Sequence, residues 1–493
     1  MTPDCPPHLL HQSPSIFEQG APGRSGASLP RCDVPERDPS VDWGKLARSS
    51  PAMLPEVSEV EATRHFTRLS RWNYAIDIGM YPLGSCTMKY NPKINEWAAR
   101  QLGFLALHPY QPESTLQGAL ALMHALEGAL CEITGMARAT LQPAAGAHGE
   151  LAGLMMIRAA LADRGRHPTK ILIPDSAHGT NPASCTLNGF DTVSVKTGAS
   201  GILDVDTVKA ACDGNTAGIM ITNPSTLGVF EEKIAEIADV IHSAGGYVYM
   251  DGANLNALLG KFRPGDAGVD VMHINLHKTF TTPHGGGGPG AGPVAVTQAL
   301  EPFLPTPTVE KVGDRYRFDF SRPKSIGRLR SFYGNWGMLV RAYAYIREMG
   351  AEGLARAAEL AVLNANYLRA RLADTYPLAT TRPSMHEVVL SDKKLKKETG
   401  VTALDVAKRL IDYGYHPPTI YFPLIVPGAL MIEPTETETP ETLDAFVGAM
   451  ASIVEEAKST PDLVKGAPQH TGIRRLDETR AARQPRLRWR KEG

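Results

Sequence analysis

Four short apolar runs punctuate the middle of the chain. Lys170 to Pro174 (KILIP), Ala217 to Thr222 (AGIMIT) and Tyr247 to Met250 (YVYM) are compact strand-like runs, and Val269 to Leu276 (VDVMHINL) alternates well enough to be a fourth strand. Between the second and third lies Phe230 to Ala244, where Ile234, Ile237, Ala238 and Ile241 recur at the spacing of one helix face. Gly245 and Gly246 then supply a C-terminal stop. Strand, helix and strand in that order form a βαβ unit. The alternation predicts an α/β fold with a mostly parallel central sheet flanked by helices, and such a sheet holds ligands beyond the carboxyl ends of its strands.

From Gly337 to about Ala373 the apolar period is helical over a long stretch, and a smaller α/β region follows. We therefore divide the chain into an N-terminal arm with a helical segment (1–110), a large domain (111–330), a small C-terminal domain (331–470) and a tail (471–493). The first forty residues hold eight prolines, so the arm is expected to be extended, with Ile16, Phe17 and Leu29 docking on something. The tail from Gly472 carries eight basic and three acidic residues, a net +5 suited to a surface arm or a partner contact.

Composition narrows the function classes. The formal net charge is −1, which argues against a dedicated nucleic-acid binder. No apolar run is long enough to cross a bilayer, and the start has no charged region followed by an apolar stretch, so neither a membrane span nor a signal peptide is expected. The six cysteines show no CxxC spacing, which excludes a disulfide scaffold and a zinc ribbon. A soluble cytoplasmic protein is the expectation.

Two residues stand where an α/β sheet keeps its ligands. Asp251 ends the strand YVYM, and Lys278 follows MHINL in the next. Alone, the first reads as a turn or cap aspartate and the second as a solvated lysine. Together they supply what pyridoxal phosphate needs: a lysine for its Schiff base and a carboxylate that keeps the pyridinium nitrogen protonated. Ala144 to Glu150 (AAGAHGE) leads into a helical pattern, and free N–H groups at that helix start would bind the phosphate. His178, just after KILIP, is placed to stack on the ring. Thr226 is placed to bond the ring's phenolic oxygen, and Ala253 also counts among the cofactor contacts. The stretch Gly285 to Gly292 formally contains GxGxxG, but it follows His284 rather than a strand and no helical pattern opens after it, so a dinucleotide site is rejected. No Walker motif occurs. Histidines 148, 178, 273, 277, 284 and 386 show no metal-ligand spacing, and no metal is expected.

Longer runs carry a family resemblance. PAAGAHGELAGL, DSAHGTNPAS, TNPSTLGVFE, MDGANLNA and HINLHKTFTTPHGGGGPGAGPV resemble the glycine decarboxylase P-proteins of the glycine cleavage system, as do PLGSCTMKYNPK (82–93), HPPTIYFPLIVPGALMIEPTETE (416–438) and RRLDETRAARQPRLRW (474–489). At 493 residues the chain resembles the catalytic second subunit of the split, two-gene form. The resemblance implies a fold-type-I pyridoxal-phosphate enzyme. Lys278 would be its Schiff-base lysine, Asp251 the pyridinium partner and His178 the stacking residue, with Gly146, Ala147 and His148 in the phosphate loop. It also implies decarboxylation of glycine, with transfer of the aminomethyl group to the lipoyl arm of the carrier H-protein. His277 and His178 are both candidates for the base. The implied partners are glycine, a first P-protein subunit in a heterotetramer of two copies of each, lipoylated H-protein, and the T- and L-proteins. Two alternatives remain open: another fold-type-I decarboxylase or aminotransferase, which would share Lys278 and Asp251, and a non-catalytic scaffold subunit, which a missing lysine or aspartate would favour.

Overall fold

The computed structural model describes residues 14–50, 52–284 and 290–489. Seven strands form the central sheet: β1 (Arg138–Thr140), β2 (Lys170–Pro174), β3 (Asp191–Val195), β4 (Thr216–Thr222), β5 (Tyr247–Gly252), β6 (Val271–Ile274) and β7 (Val294–Val296), in the order β1-β7-β6-β5-β4-β2-β3. Strands β2 to β6 run parallel, and β7 is antiparallel to both its neighbours. The mostly parallel sheet expected from the alternation is therefore present.

Successive strand residues face opposite sides, and each side has its own core. Ile219, Val248, Met250 and Met272 pack with Ile237 and Ile241 on one face. Met220, Tyr249 and Val271 pack with Leu154, Ile157 and Leu161 of the helix Gly146–Asp163 on the other. With both faces covered, β4 to β7 are buried at every residue, which is why β4 and β5 read as apolar runs rather than strict alternations.

Two boundaries differ from the sequence expectation for local reasons. The helix expected from Phe230 runs only from Ile234 to Ser243. Ahead of it, Glu231 accepts N–H bonds from Leu203 and Lys233, and its own N–H donates to Asn223, so the segment is held as a loop. The strand expected through Leu276 stops at Ile274. Asn275 there precedes a one-turn helix, Leu276–Thr279, which carries Lys278.

A hairpin, β8 (Thr308–Val312) and β9 (Arg315–Asp319), precedes the long helix Trp336–Leu372. That helix is interrupted at Gly350, whose φ of 61° is a backbone conformation glycine adopts without a Cβ penalty. Its first part contributes Met338, Leu339, Ala342 and Tyr345 to the large-sheet core. Its last part contributes Leu368 and Leu372 to a second core, beneath the antiparallel sheet β10 (Val388–Ser391), β11 (Thr419–Ile420) and β12 (Ala429–Ile432). Strand β12 lies in the middle of that sheet.

The arm forms only short helical turns before the helix Glu59–Ser70. Phe17 stacks on Trp489 with ring centres 5.0 Å apart, so arm and tail meet. Leu29 remains exposed. Among the described residues, no helix is long and apolar enough to cross a membrane.

Candidate active site

Asp251 is the fifth residue of β5 and is buried. Its carboxylate accepts from Asn181 Nδ2 at 3.0 Å and from the Ala253 N–H at 2.9 Å, and it meets His273 Nε2 at 3.2 Å. Burial alone would raise an aspartate. The imidazole of His273 and the three hydrogen bonds outweigh that and hold the group well below the usual carboxylate range. His273 is raised in turn, because Asp251 offsets the burial cost of its charge, and Tyr249 Oη lies 2.9 Å from its Nδ1. The result is a buried carboxylate that favours its ionised form. Sequence reasoning noted His273 without giving it a role and did not single out Asn181 or Tyr249. The signal was register: Asp251 and His273 are direct partners in the β5–β6 pairing.

Lys278 follows β6, the neighbouring strand, so Asp251 and Lys278 sit at the carboxyl ends of adjacent parallel strands. Beside Lys278, His277 is kept neutral, its ring pushed down to about 3 by burial and by His284 and Lys278. Its Nδ1 is buried without a partner among the described residues, and so is Asn275 Oδ1.

The helix Gly146–Asp163 begins at the sheet edge, as AAGAHGE led us to expect. Gly146, Ala147 and His148 form its first turn, where N–H groups have no acceptor within the helix. His148 Nδ1 accepts from the Ala144 N–H at 3.1 Å. Glycine is required here for close approach: a Cβ on Gly146 would lie 2.3 Å from Asn275 Oδ1, and one on Gly292 would lie 2.1 Å from the Ala145 carbonyl. Gly292 closes the second Gly-rich run, of which residues 285–289 lie outside the described residues.

His178 is exposed at the end of β2, edge-on to Phe422 at 5.5 Å. The Thr180 N–H donates to its Nδ1, which leaves the proton of the neutral ring on Nε2. Thr180 Oγ1 and Ser184 Oγ donate to the buried Glu150, fixing this loop against the helix that starts at Gly146. Thr226 is buried, and its hydroxyl donates to the Ser176 carbonyl.

A third wall comes from the arm and the small domain. Lys89 is buried, paired with Glu436 at 2.9 Å, and donates to the Thr279 carbonyl of the Lys278 turn at 2.9 Å. His284 Nε2 lies 2.7 Å from the Cys86 carbonyl, and burial raises the Cys86 thiol. Glu387 and Glu433, both fully buried, accept from the Ser85 and Thr87 N–H groups at 2.9 Å. None of Lys89, Glu387, Glu433 and Cys86 was singled out from the sequence.

These groups fit pyridoxal phosphate. A buried carboxylate, a lysine one strand away, a helix start able to take a dianion, and unpaired polar atoms on His277 and Asn275 together match its nitrogen, aldehyde and phosphate. Sheet order, the antiparallel β7 and this placement define a fold-type-I pyridoxal-phosphate enzyme. A solved glycine decarboxylase (P-protein) of the glycine cleavage system, in inhibitor-bound form, superposes with a TM-score of 0.70 at 20% identity, covering 84% of this chain and 94% of that one. Glutamate decarboxylase of Lactobacillus brevis superposes at 0.64 and 16% identity, covering 90% of this chain and 98% of its own.

Family models match over most of the chain: the glycine cleavage system P-protein at residues 42–315 and the glycine dehydrogenase C-terminal domain at 357–469. The chain belongs to the P-protein family of the glycine cleavage system. It is 59% identical to a probable glycine dehydrogenase (decarboxylating) subunit 2 of Caldanaerobacter subterraneus, over 97% of this chain and 98% of that protein. The protein of the same description from Bacillus licheniformis is 58% identical over the same shares.

Proposed function

We propose that this chain binds pyridoxal phosphate through Lys278 and decarboxylates glycine, passing the aminomethyl group to the lipoyl arm of H-protein and releasing carbon dioxide. The observation that carries the site assignment is Asp251: a buried carboxylate with three donors, at the end of the strand next to Lys278. When bound, the cofactor supplies a cationic ring that accepts the electron pair left behind by the departing carboxylate. Asp251 holds the proton on the ring nitrogen, and His273 keeps Asp251 charged while it does so. Gly146, Ala147 and His148 offer their N–H groups and the helix dipole to the phosphate. His178 covers one ring face from the β2 loop, and Ala253 stays within reach through its bond to Asp251. Thr226, bonded to Ser176, holds the loop from which it would meet the phenolic oxygen.

His277 remains neutral near pH 7, so it is suited to accepting a hydrogen bond in the site. The P-protein relatives are named as second subunits, so a first subunit is part of the working enzyme. We assign two copies of each chain to that assembly, with lipoylated H-protein as acceptor, the T- and L-proteins downstream, and the cytoplasm as the compartment.

Borohydride reduction of the cofactor-loaded protein, followed by peptide mapping, should place the pyridoxyl label on Lys278. A label on another lysine overturns the assignment. Exchange of labelled carbon dioxide into glycine, dependent on the lipoyl carrier, should accompany it. Exchange that proceeds unchanged without the carrier points instead to a simple amino-acid decarboxylase.

A further inference from the structure

Strands β10 and β12 pair Val388 with Ile432, so the next residues, Glu387 and Glu433, come side by side. A carboxylate oxygen of each and a ring nitrogen of His386 lie within 4.8 Å of one another, and all three side chains are fully buried. Glu433 has donors on both oxygens, Asn256 Nδ2 on Oε1 at 3.3 Å and the Thr87 N–H on Oε2 at 2.9 Å. Among the described residues, Glu387 accepts from the Ser85 N–H alone, on Oε2. Its Oε1 is buried without a hydrogen-bond partner among the described residues, and so are both nitrogens of His386, whose Nε2 is 3.5 Å from that oxygen.

The segment that supplies the donors is shaped for the purpose. Ser85 and Thr87 have φ of 62° and 51°, a left-handed backbone that such residues adopt only when surroundings enforce it. The charged and titratable groups felt by this cluster are Lys278, Glu436 and Cys86. Lys278 acts electrostatically on both carboxyls and on His386.

We propose that Glu387 and Glu433 share a single proton, seated on Glu387 Oε1, and that this pair is the proton store for the reaction at Lys278. Two carboxylates this close, both out of water, cannot both ionise at modest cost. Burial and the neighbouring Glu433 push Glu387 well above the carboxylate range, and burial raises Glu433 to about 7. His386 is held neutral by burial and by Lys278, so it can accept from a protonated Oε1. A cation is a poorer occupant, because Asn256 and Thr87 already occupy Glu433 and only Glu387 Oε1 and His386 would remain to bind it.

The chemistry of the proposed function, on which this inference rests, requires such a store. Glycine arrives as an ammonium ion, and its nitrogen must lose a proton before it can act as a nucleophile. That N–H bond breaks as an O–H bond forms on the pair, which goes from one proton to two, and no electrons change hands. Later the lipoyl disulfide opens: one sulfur bonds to carbon, and the other leaves with the S–S electron pair as a thiolate. The stored proton passes to that sulfur, and the pair returns to one proton. Glycine's ammonium proton thus balances the thiol, and neither an oxidant nor a reductant beyond the disulfide is needed.

Infrared difference spectra test this on the cofactor-loaded complex with its partner subunit, comparing glycine-bound and glycine-free enzyme in the absence of carrier. A protonated-carboxyl band that gains intensity with glycine, shifts in deuterium oxide and vanishes in Glu387→Gln is the expected result. Glu433→Gln should abolish the glycine-dependent gain. Both variants should still take the pyridoxyl label at Lys278, while Glu387→Gln loses roughly a hundredfold or more in turnover together with one limb of the pH profile. A wild type that binds glycine, seen in its visible spectrum, without such a band overturns the proposal. So does a band unchanged in Glu387→Gln, or a stoichiometric transition metal that this variant loses. The band is read before any carrier is added, so failure of aminomethyl transfer refutes the function without touching this result.

Discussion

Asp251 and His273 face each other across the parallel pairing of β5 and β6, carboxylate and imidazole 3.2 Å apart. The pair makes an ion out of a group that burial would otherwise neutralise. Asp251→Asn keeps the shape and the Asn181 contact but cannot hold a proton on the ring nitrogen. The expected outcome is retained cofactor, measured by its visible absorption, with turnover reduced by about a hundredfold or more. Near-normal turnover would make Asp251 a structural group.

Gly292 packs where a side chain has no room, its Cβ position 2.1 Å from the Ala145 carbonyl at the start of the helix Gly146–Asp163. Gly292→Ala must push that helix start away, at a cost of about 1–3 kcal/mol typical of overpacking. Cofactor affinity should weaken by roughly tenfold or more, with the far-ultraviolet circular dichroism unchanged. Equal affinity in equilibrium titrations of wild type and variant would show that the contact does not position the phosphate loop.

Lys89 joins the arm, the small domain and the Lys278 turn. Although burial disfavours its charge, Glu436 more than compensates and holds it up at about 12. Lys89→Met leaves Glu436 buried and unpaired, and should cost about 3–5 kcal/mol in urea unfolding. The double variant Lys89→Met/Glu436→Gln should recover part of that loss. A single variant as stable as wild type would contradict the pairing.

The sequence exposed the parts of the site that end apolar strands. Asp251 and Lys278 break the pattern of the β5 and β6 runs, so their position at a sheet edge follows from alternation. His273 was hidden because it lies inside the buried VMHI run, where a histidine looks like a core residue. Glu387 and Glu433 flank apolar runs and read as strand boundaries; only the β10–β12 register reveals that they meet. Lys89 reads as a loop lysine, because its partners Thr279 and Glu436 are distant in sequence. The parallel βαβ core was legible for the same reason that Asp251 was. The three-residue β7 and the Phe17–Trp489 contact were not, since neither leaves a periodic trace.

Burial raises Glu438 to about 7. An unfolded glutamate titrates near about 4.3, so between these values the native chain holds a proton that the unfolded chain has lost. Stability from this group is therefore complete below the unfolded value and is lost as pH rises towards about 7. Glu438→Gln removes the titration. The melting temperature of the variant minus that of wild type should grow across that window and level off above it, read by calorimetry at a series of pH values. A difference independent of pH would refute the shift.

The apolar surface of the N-terminal region bears on assembly. Trp43, Leu46, Trp97, Leu102 and Leu105 are each more than three-fifths exposed, and all five lie on short helices within the 39–105 segment. Trp97 lies on the helix Lys93–Ala99, whose other face packs on the long helix Trp336–Leu372, so its exposure is fixed by a well-anchored element. Apolar surface of this kind marks a protein–protein contact, and the relatives' naming as second subunits supplies the candidate partner. An obligate interface would bury more than about 2,000 Å². Trp97→Glu should leave the isolated chain folded, because the side chain stands outside the core, yet weaken association with the first subunit by about 2 kcal/mol, roughly thirtyfold. Sedimentation of the two purified chains over a concentration series measures this directly. Unchanged association in both Trp97→Glu and Leu102→Glu would remove this face from the interface, and full glycine turnover by the lone chain would remove the need for a partner altogether.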